Sequence, residues 1–140
     1  MRLALTSILV LLCAAAGCVT AGPERPLRIE AGQTVSLRAG ASAQTGDGAL
    51  RIGFENVSAD SRCPKGEQCV WAGDATVRVW LQRRGGTQER IELHTATGLA
   101  SAGSAPEPGL RLVRLDPTPV TGKVIAQRDY IVTLALGAER

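Results

Sequence analysis

Aromatic side chains, histidine and an excess of either charge are all scarce in this sequence. Aromatic residues make up 3% of the 140 residues, too few for the stacking surfaces on which single-stranded nucleic acids bind. The formal net charge of +3 is too small for electrostatic binding of DNA. The single histidine, His94, leaves little material for a transition-metal site. We therefore expect no nucleic-acid partner and no bound metal.

Glycine patterns that bind nucleotides are also absent. The 16 glycines do not have the spacing of a phosphate-binding loop or of a dinucleotide-binding turn, so we expect no cofactor. The chain does have an apolar content of 44%, which is typical of a folded domain and not of a disordered tail. Its length suits a single domain.

Long apolar runs are missing except near the start of the chain. Residues 3–12 (LALTSILVLL) follow a basic residue and precede small ones, as in a secretory signal, and the run is shorter than the roughly 20 residues of a membrane span. Residues 15–17 (AAG), directly before Cys18, resemble the bacterial lipobox, after which the cysteine is acylated and becomes the new N-terminus. We therefore predict a lipoprotein signal peptide over 1–17 and lipidation, including palmitate, at Cys18. Cleavage of an ordinary signal nearby is the alternative.

The residues that follow Cys18 indicate where such an anchor would hold the protein. Residues 18–26 are small, polar and proline-bearing, and we interpret them as a flexible tether. Lipoproteins with this box usually reach the outer membrane unless Asp follows the cysteine, and here Val19 follows. The resemblance implies a protein of the bacterial cell envelope, held by its lipid to the outer membrane and facing the periplasm. The membrane is then its first partner.

After the tether, apolar and polar residues alternate with the period of two that strands show. Residues 50–54, 77–81 and 91–94 all follow this pattern. No stretch shows a helical stripe, and glycine and proline interrupt the chain throughout. We therefore predict an all-β domain over 27–138, with about seven short strands in a small immunoglobulin-like β-sandwich or in an open barrel.

Two of these strands can be paired in a definite register. A three-residue loop over 85–87 places side chains of like character opposite one another, whereas a two-residue loop mixes buried and solvent faces. The predicted pairs are Leu81 with Ile91, Val79 with Leu93, and Trp80 with Glu92. An exposed Trp80 would be a candidate interface residue, and its burial under a neighbouring loop or sheet is the alternative.

Four cysteines suggest two disulfides, but their positions divide them differently. Cys13 lies in the predicted signal and Cys18 is the predicted lipid site, which leaves Cys63 and Cys69. In an exported protein a disulfide between these two is the default, and closing so short a loop contributes roughly 2 kcal/mol. A redox site would have two intervening residues at a helix start, and a metal site would need further ligands, so we interpret the pair as a structural staple.

The segment around this pair carries charged and aromatic side chains that could form a recognition surface. The candidate binding residues are Arg62, Lys65, Glu67 and Trp71. The alternative is that these residues surround the disulfide and have only a structural role. Trp71 lies two residues after Cys69, on the same side of an extended chain as that sulfur, so we expect Trp71 to cover the disulfide and close the end of the core.

The same stretch contains the one specific motif of the chain. Residues 60–73 read DSRCPKGEQCVWAG, or D-S-R-C-P-x4-C-x-W-A-G, and weaker features follow at residues 117–119 (PTP) and at Tyr130. The motif resembles that of a family of bacterial lipoproteins and secreted proteins. The resemblance implies a small exported β-domain. It assigns no activity, so no catalytic residue is carried over.

A non-enzymatic role is the function that these patterns favour. We expect a lipid-anchored binding or structural module, with another envelope protein as its candidate partner. The first alternative is an inhibitor whose stapled loop enters the cleft of an envelope protease or lysozyme. The second is a small hydrolase built on Ser61 and His94, although neither residue lies in a nucleophile-elbow pattern. We predict no catalytic residues.

Overall fold

The computed structural model describes residues 26–96 and 109–137. The predicted signal peptide over 1–17, the lipidation site Cys18 and all but the last residue of the tether lie outside these ranges. Within the ranges, no helix has the length and apolar content that crossing a membrane requires.

Eight strands and one short 3-10 turn make up the regular structure of the described residues. They are β1 (Leu27–Ile29), β2 (Thr34–Arg38), β3 (Ser42–Thr45), β4 (Leu50–Asp60), β5 (Ala75–Arg83), β6 (Gln88–His94), β7 (Leu110–Asp116), the 3-10 turn (Gln127–Asp129) and β8 (Ile131–Leu136). The strand missing from the prediction is β3. Its sequence, SAQT, contains no large apolar residue, and among its four side chains only that of Ala43 is buried.

The strands form two separate sheets that pack face to face. One sheet has the strand order β1-β3-β4-β5-β6, and the other has the order β2-β8-β7. All neighbouring strands are antiparallel except β1 and β3, which run parallel. The prediction of an all-β sandwich is confirmed, and the chain does not form the alternative open barrel.

The core lies between the sheets and takes alternate side chains from each strand. In β5, Val77 and Val79 are buried while Arg78 between them faces solvent. Val132 and Leu134 of β8 meet this face from the other sheet and are fully buried. Because burial of apolar surface contributes roughly 25 cal/mol per Å², this shared core is what holds the two sheets together.

The β5–β6 hairpin has a different register from the predicted one. Trp80 lies opposite Arg90 and not opposite Glu92, a displacement of two residues. The turn also closes earlier than predicted, because the Gly86 N–H donates to the Arg83 carbonyl oxygen at 2.8 Å. The predicted register is therefore wrong, although the predicted faces are right.

Alternation could not have detected this displacement, because a shift of two residues leaves every side chain on its own face. The observed register places Val79 opposite Ile91 in the core. On the outer face it places Arg78 opposite Glu92, with Nε and Oε1 2.9 Å apart. Opposite charges on facing residues favour this pairing. The charges of Arg78 and Glu92 could therefore have predicted the register from the sequence.

Two long connections between strands lie at one end of the sandwich. Residues 61–74, between β4 and β5, are here called the disulfide loop. Residues 117–126, which follow β7, are here called the proline loop. Nη1 of Arg62 lies 2.6 Å from the Leu115 carbonyl oxygen, so both loops lie at the same end. The β5–β6 turn lies at the other end, since Leu50 at the start of β4 pairs with Arg83.

Candidate binding site

The predicted disulfide joins Cys63 to Cys69. Below it, main-chain hydrogen bonds run from the Ser61 N–H to the Asp74 carbonyl (2.7 Å) and from the Cys63 N–H to the Ala72 carbonyl (2.9 Å). These bonds extend the β4–β5 ladder into the loop. The staple therefore closes a loop whose base is already part of the sheet.

Gly73 is required by the close approach of the two arms of this loop. Its φ is +72°, a conformation that favours glycine, and a Cβ at this position would overlap the carbonyl oxygen of Ser61. The obstacle is main chain and cannot rotate away. The glycine of the W-A-G triplet is therefore structural.

Asp60, Arg62 and Tyr130 form a hydrogen-bonded group, here called the Asp60 cluster. Arg62 donates from Nε to Asp60 Oδ1 (2.9 Å) and from Nη2 to Asp60 Oδ2 (2.7 Å). The Tyr130 hydroxyl donates to the same Oδ2 (3.0 Å). Arg62 also donates to the carbonyl oxygens of Leu115 and Pro117, at 2.6 and 2.9 Å. With 14% of its side chain exposed, the candidate residue Arg62 is turned inward and ties the two loops together.

The Asp60 cluster holds its two acids in fixed protonation states. Burial raises the pKa of Asp60, but hydrogen bonds from Arg62 and Tyr130 outweigh it and keep the pKa below the usual 3.8. Burial, together with the hydrogen bond to Asp60, raises the pKa of Tyr130 to about 12. Asp60 therefore stays charged and Tyr130 stays neutral around pH 7. Neither has the pKa near the working pH that general acid–base catalysis favours.

Two further contacts fix the disulfide loop against the proline loop. The Lys65 N–H donates to the Pro119 carbonyl at 2.8 Å. The Thr121 hydroxyl donates to Glu67 Oε1, also at 2.8 Å. The carboxylate of Glu67 thus has a partner within the protein, and the side chain of Lys65 is exposed.

Large apolar side chains project from these two loops into solvent. Val70 is 91% exposed and Trp71 is 82% exposed on the disulfide loop, while Val120 and Val124 on the proline loop are 41% and 98% exposed. Among the described residues, two other large apolar side chains are exposed, Leu27 at 50% and Val113 at 56%. We call Val70, Trp71, Val120 and Val124 the apolar tip.

The prediction that Trp71 covers the disulfide and closes the core is wrong. Tyr130, which is 5% exposed and belongs to the hydrophobic core, lies at that end of the core instead. The prediction assumed an extended chain from Cys69 onward, but the residues from Cys69 to Trp71 do not lie in a strand. The alternation of sides that strands show therefore does not apply to Trp71.

Both lysines of the chain lie beside the apolar tip. Lys65 is on the disulfide loop and Lys123 is on the proline loop, and both are exposed. Glu67 on the disulfide loop is also exposed, and its carboxylate accepts the hydrogen bond from Thr121. The surface around the tip thus combines an aromatic ring, aliphatic side chains and two ammonium groups.

Trp80 lies on a different surface from Trp71. It is half-buried on the outer face of the larger sheet, opposite Gly53, where a Cβ would overlap the indole ring. The Arg51 guanidinium lies 5.7 Å from the centroid of the ring. Trp80 is five residues along β5 from the disulfide loop, a distance of about 17 Å, so the structure does not bring the two candidate tryptophans together.

An Asp–His pair that the sequence did not reveal lies at the base of the disulfide loop. Nδ1 of His94 is 2.6 Å from Oδ2 of Asp74, and Oδ1 accepts hydrogen bonds from the Thr95 hydroxyl and the Ala96 N–H. Burial raises the pKa of Asp74, but hydrogen bonds from Ala96, His94 and Thr95 outweigh it and leave the pKa below its usual value.

This pair is not completed into a Ser-His-Asp triad by Ser61. The Ser61 hydroxyl donates to the Asp74 carbonyl (2.9 Å) and accepts from the Asp74 N–H (3.2 Å), so it is engaged with the main chain. A triad requires a hydrogen bond from the serine hydroxyl to the second ring nitrogen, and none joins these two described residues. The pair serves to fix the base of the disulfide loop against the end of β6.

A cleft of about 320 Å³ lies beside the apolar tip, between the end of β4 and the proline loop. Asp60, Lys123 and Tyr130 are among its lining residues. The Asp60 carboxylate already binds Arg62 and Tyr130, which leaves Lys123 as the accessible charge. Across residues 26–96 and 109–137, no three His, Cys, Asp or Glu side chains lie close enough together to hold a metal ion.

Comparison with known proteins returned no match to a family model, to a curated protein or to a solved structure. The resemblance of residues 60–73 to exported lipoproteins stays a prediction. The proposed function therefore rests on the geometry of the site.

Proposed function

We propose that this chain is a lipid-anchored protein of the bacterial cell envelope and that its β-sandwich is a non-enzymatic binding module. The lipobox-like residues before Cys18 and the resemblance of the motif over 60–73 support the anchor and the location, which we assign to the outer membrane facing the periplasm. The apolar tip is the proposed binding site, and its partner is a component of the envelope.

The exposure of Trp71 is the observation that carries this proposal. A tryptophan that is 82% exposed, next to Val70 at 91%, leaves apolar area in water that a partner would cover. Burying an aromatic side chain of 150–250 Å² contributes about 4–6 kcal/mol before ordering costs are subtracted. The disulfide and the paired base of the loop reduce those costs, because they hold the tip in one conformation before it binds.

A second candidate function, inhibition of an envelope protease or lysozyme, is favoured by the same stapled loop. A rigid projection with an exposed aromatic residue is suited to entering an enzyme cleft. A panel of periplasmic hydrolases assayed with the purified protein tests this version, and the absence of inhibition at micromolar concentration excludes it. A hydrolase has less support, because Ser61 does not complete the Asp74–His94 pair.

The anchor is tested by metabolic labelling with an alkyne analogue of palmitate. We expect label on the wild-type protein and none on Cys18→Ser. Equal label on both proteins, or none on the wild type, contradicts the lipid anchor.

The binding site is tested by photo-crosslinking in the intact envelope. A photoreactive phenylalanine replaces Trp71 in one variant and Glu89 in the other, since Glu89 is exposed and lies near the β5–β6 turn at the opposite end. We expect a covalent adduct at position 71 and none at position 89. Equal adduct yields, or no adduct at 71, would show that the tip has no partner.

A further inference from the structure

The apolar tip has the composition of a membrane-interface site. Trp71 combines an apolar ring with a polar N–H, the type of side chain that collects at the level of lipid headgroups. Val70 precedes it in the chain and is 91% exposed, and Val124 of the proline loop is 98% exposed. Lysine side chains beside apolar residues can extend their ammonium groups to the headgroups, and Lys65 and Lys123 lie on the same two loops.

The charges around the tip fit an anionic lipid surface. The only two lysines of the 140-residue sequence lie here, while Arg62 is turned inward onto Asp60. A lysine near an anionic bilayer contributes about 1 kcal/mol of attraction, which is about fivefold in a binding equilibrium. Glu67 opposes this in part, and it hydrogen-bonds Thr121.

The shape of the tip also fits a lipid surface better than a preformed protein pocket. Val70 and Trp71, 91% and 82% exposed, project into solvent, and Val124, 98% exposed, lies at the edge of the cleft beside the tip. A projecting apolar side chain needs a matching cavity in a protein partner, whereas a fluid bilayer closes around it without one. Interfacial side chains of this kind penetrate about 5–10 Å, as those of amphipathic helices do.

The described chain begins beside the turn that follows the proline loop, and its first strand leads away from the tip. Leu27 and Arg128 line the same shallow pocket, so the start of β1 lies beside the 3-10 turn that follows the proline loop. β1 runs away from the tip, because it is parallel to β3 and β3 is antiparallel to β4. Residues 18–26 can span at most about 30 Å, so the anchor stays within that distance of the start of β1.

We propose that the partner of the apolar tip is the anionic phospholipid surface to which the protein is anchored. This inference rests on the proposed function and names the partner of the same site. Trp71, Val70 and Val124 would insert among the headgroups, and Lys65 and Lys123 would contact lipid phosphates. The acyl chains at Cys18 attach the protein to the membrane, and a second, protein-borne contact of this kind fixes the orientation of the domain.

The test uses the acylated protein, purified from its envelope and reconstituted into vesicles of phosphatidylcholine with anionic phosphatidylglycerol. The acyl chains of these lipids are brominated and quench tryptophan fluorescence on contact. A Trp80→Phe variant reports on Trp71 alone, and a Trp71→Phe variant reports on Trp80 alone. Flotation of the protein with the vesicles measures attachment through the lipid anchor. Quenching measures contact between a tryptophan and the acyl chains.

We expect quenching of Trp71 and none of Trp80, since Trp80 lies on the outer sheet face about 17 Å along β5. Lys65→Gln is expected to lower the ratio of docked to undocked protein about fivefold, and Lys123→Gln to do the same. Both variants should float as the wild type does. Pure phosphatidylcholine vesicles should weaken the quenching in the same direction.

Three outcomes overturn the inference. Protein that floats while Trp71 stays unquenched leaves the anchor intact and shows that the tip is free for a protein partner. Equal quenching of Trp71 and Trp80 shows contact with lipid that is not directed by the tip. Protein that does not float contradicts the anchor of the proposed function, and the inference falls with it.

Discussion

Asp60 is the residue on which the geometry of the binding end depends. Its two carboxylate oxygens accept hydrogen bonds from Arg62 and Tyr130. Arg62 also donates to the carbonyl oxygens of Leu115 in β7 and of Pro117 in the proline loop. Removing one partner of a group that is only 10–14% exposed leaves a charge without its counterpart, which costs more than the loss of a surface ion pair. The cluster thus fixes the loops from which the apolar tip projects.

Tyr130 offers a direct readout of this cluster, because it is the only tyrosine of the chain. We predict that the ultraviolet absorbance of its phenolate appears with a midpoint near pH 12 and not near 10. The raised pKa means that the folded state keeps the phenol proton after the unfolded state has lost it. The stabilisation is therefore complete below pH 10 and is lost as the pH rises toward 12.

Asp60→Asn is the control for that titration. The midpoint should fall, because the negative charge beside the phenol is gone, but it should stay above 10 because burial is the larger cause. A wild-type midpoint of about 10 would show that Tyr130 is exposed and not hydrogen-bonded to Asp60.

At the scale of the strand, Gly53 and Trp80 depend on each other. A Cβ at position 53 would overlap the indole ring of Trp80, which lies opposite the glycine across the β4–β5 pair. We predict that Gly53→Ala lowers the free energy of unfolding by about 1–3 kcal/mol, as overpacking does. In a Trp80→Ala background the same substitution should cost less than about 0.5 kcal/mol.

Urea denaturation of the four proteins of this double-mutant cycle gives the coupling free energy between positions 53 and 80. Additive effects of the two substitutions would contradict the contact between Gly53 and Trp80. Such a result would favour an exposed Trp80 that is available as an interface residue, one of the two alternatives that the sequence leaves open.

The disulfide loop makes a separate prediction about stability. Replacing both cysteines, Cys63→Ala with Cys69→Ala, should lower the free energy of unfolding by about 2 kcal/mol, because the unfolded chain regains the entropy of a seven-residue loop. Val124→Ser is the matched control: its side chain is 98% exposed, and its effect should stay within about 0.5 kcal/mol. Equal losses in the two proteins would show that the staple does not stabilise the fold.

The sequence predicts strands, faces and the disulfide, because each depends on local pattern. Alternation over 77–81 identifies both β5 and its buried side, whereas the register of β5 with β6 depends on a charge pair across the hairpin. The exposure of Trp71 and the inward position of Arg62 could not be predicted. The inward position of Arg62 depends on contacts with Leu115 and Pro117, which are distant in sequence. The exposure of Trp71 depends on the path of the chain after Cys69, which does not lie in a strand.

At the scale of the whole molecule, the two ends of the sandwich differ in chemistry. The end that carries the β5–β6 turn exposes charged and small residues over 83–90. The opposite end exposes the apolar tip, held by the disulfide and by the Asp60 cluster. The neighbouring exposed side chains of Val70 and Trp71 leave apolar surface in water at this end, which is typical of an interaction site.

Hydrogen–deuterium exchange on the native envelope tests the central claim, that the apolar tip is the bound surface of this protein. Exchange is followed by mass spectrometry in intact envelopes and in the purified protein. We predict slower exchange in the envelope for peptides that cover 65–72 and 120–125, and unchanged exchange for 83–88 at the opposite end. Identical exchange of the tip peptides in both samples, or equal protection at both ends, would show that the tip is not the bound surface.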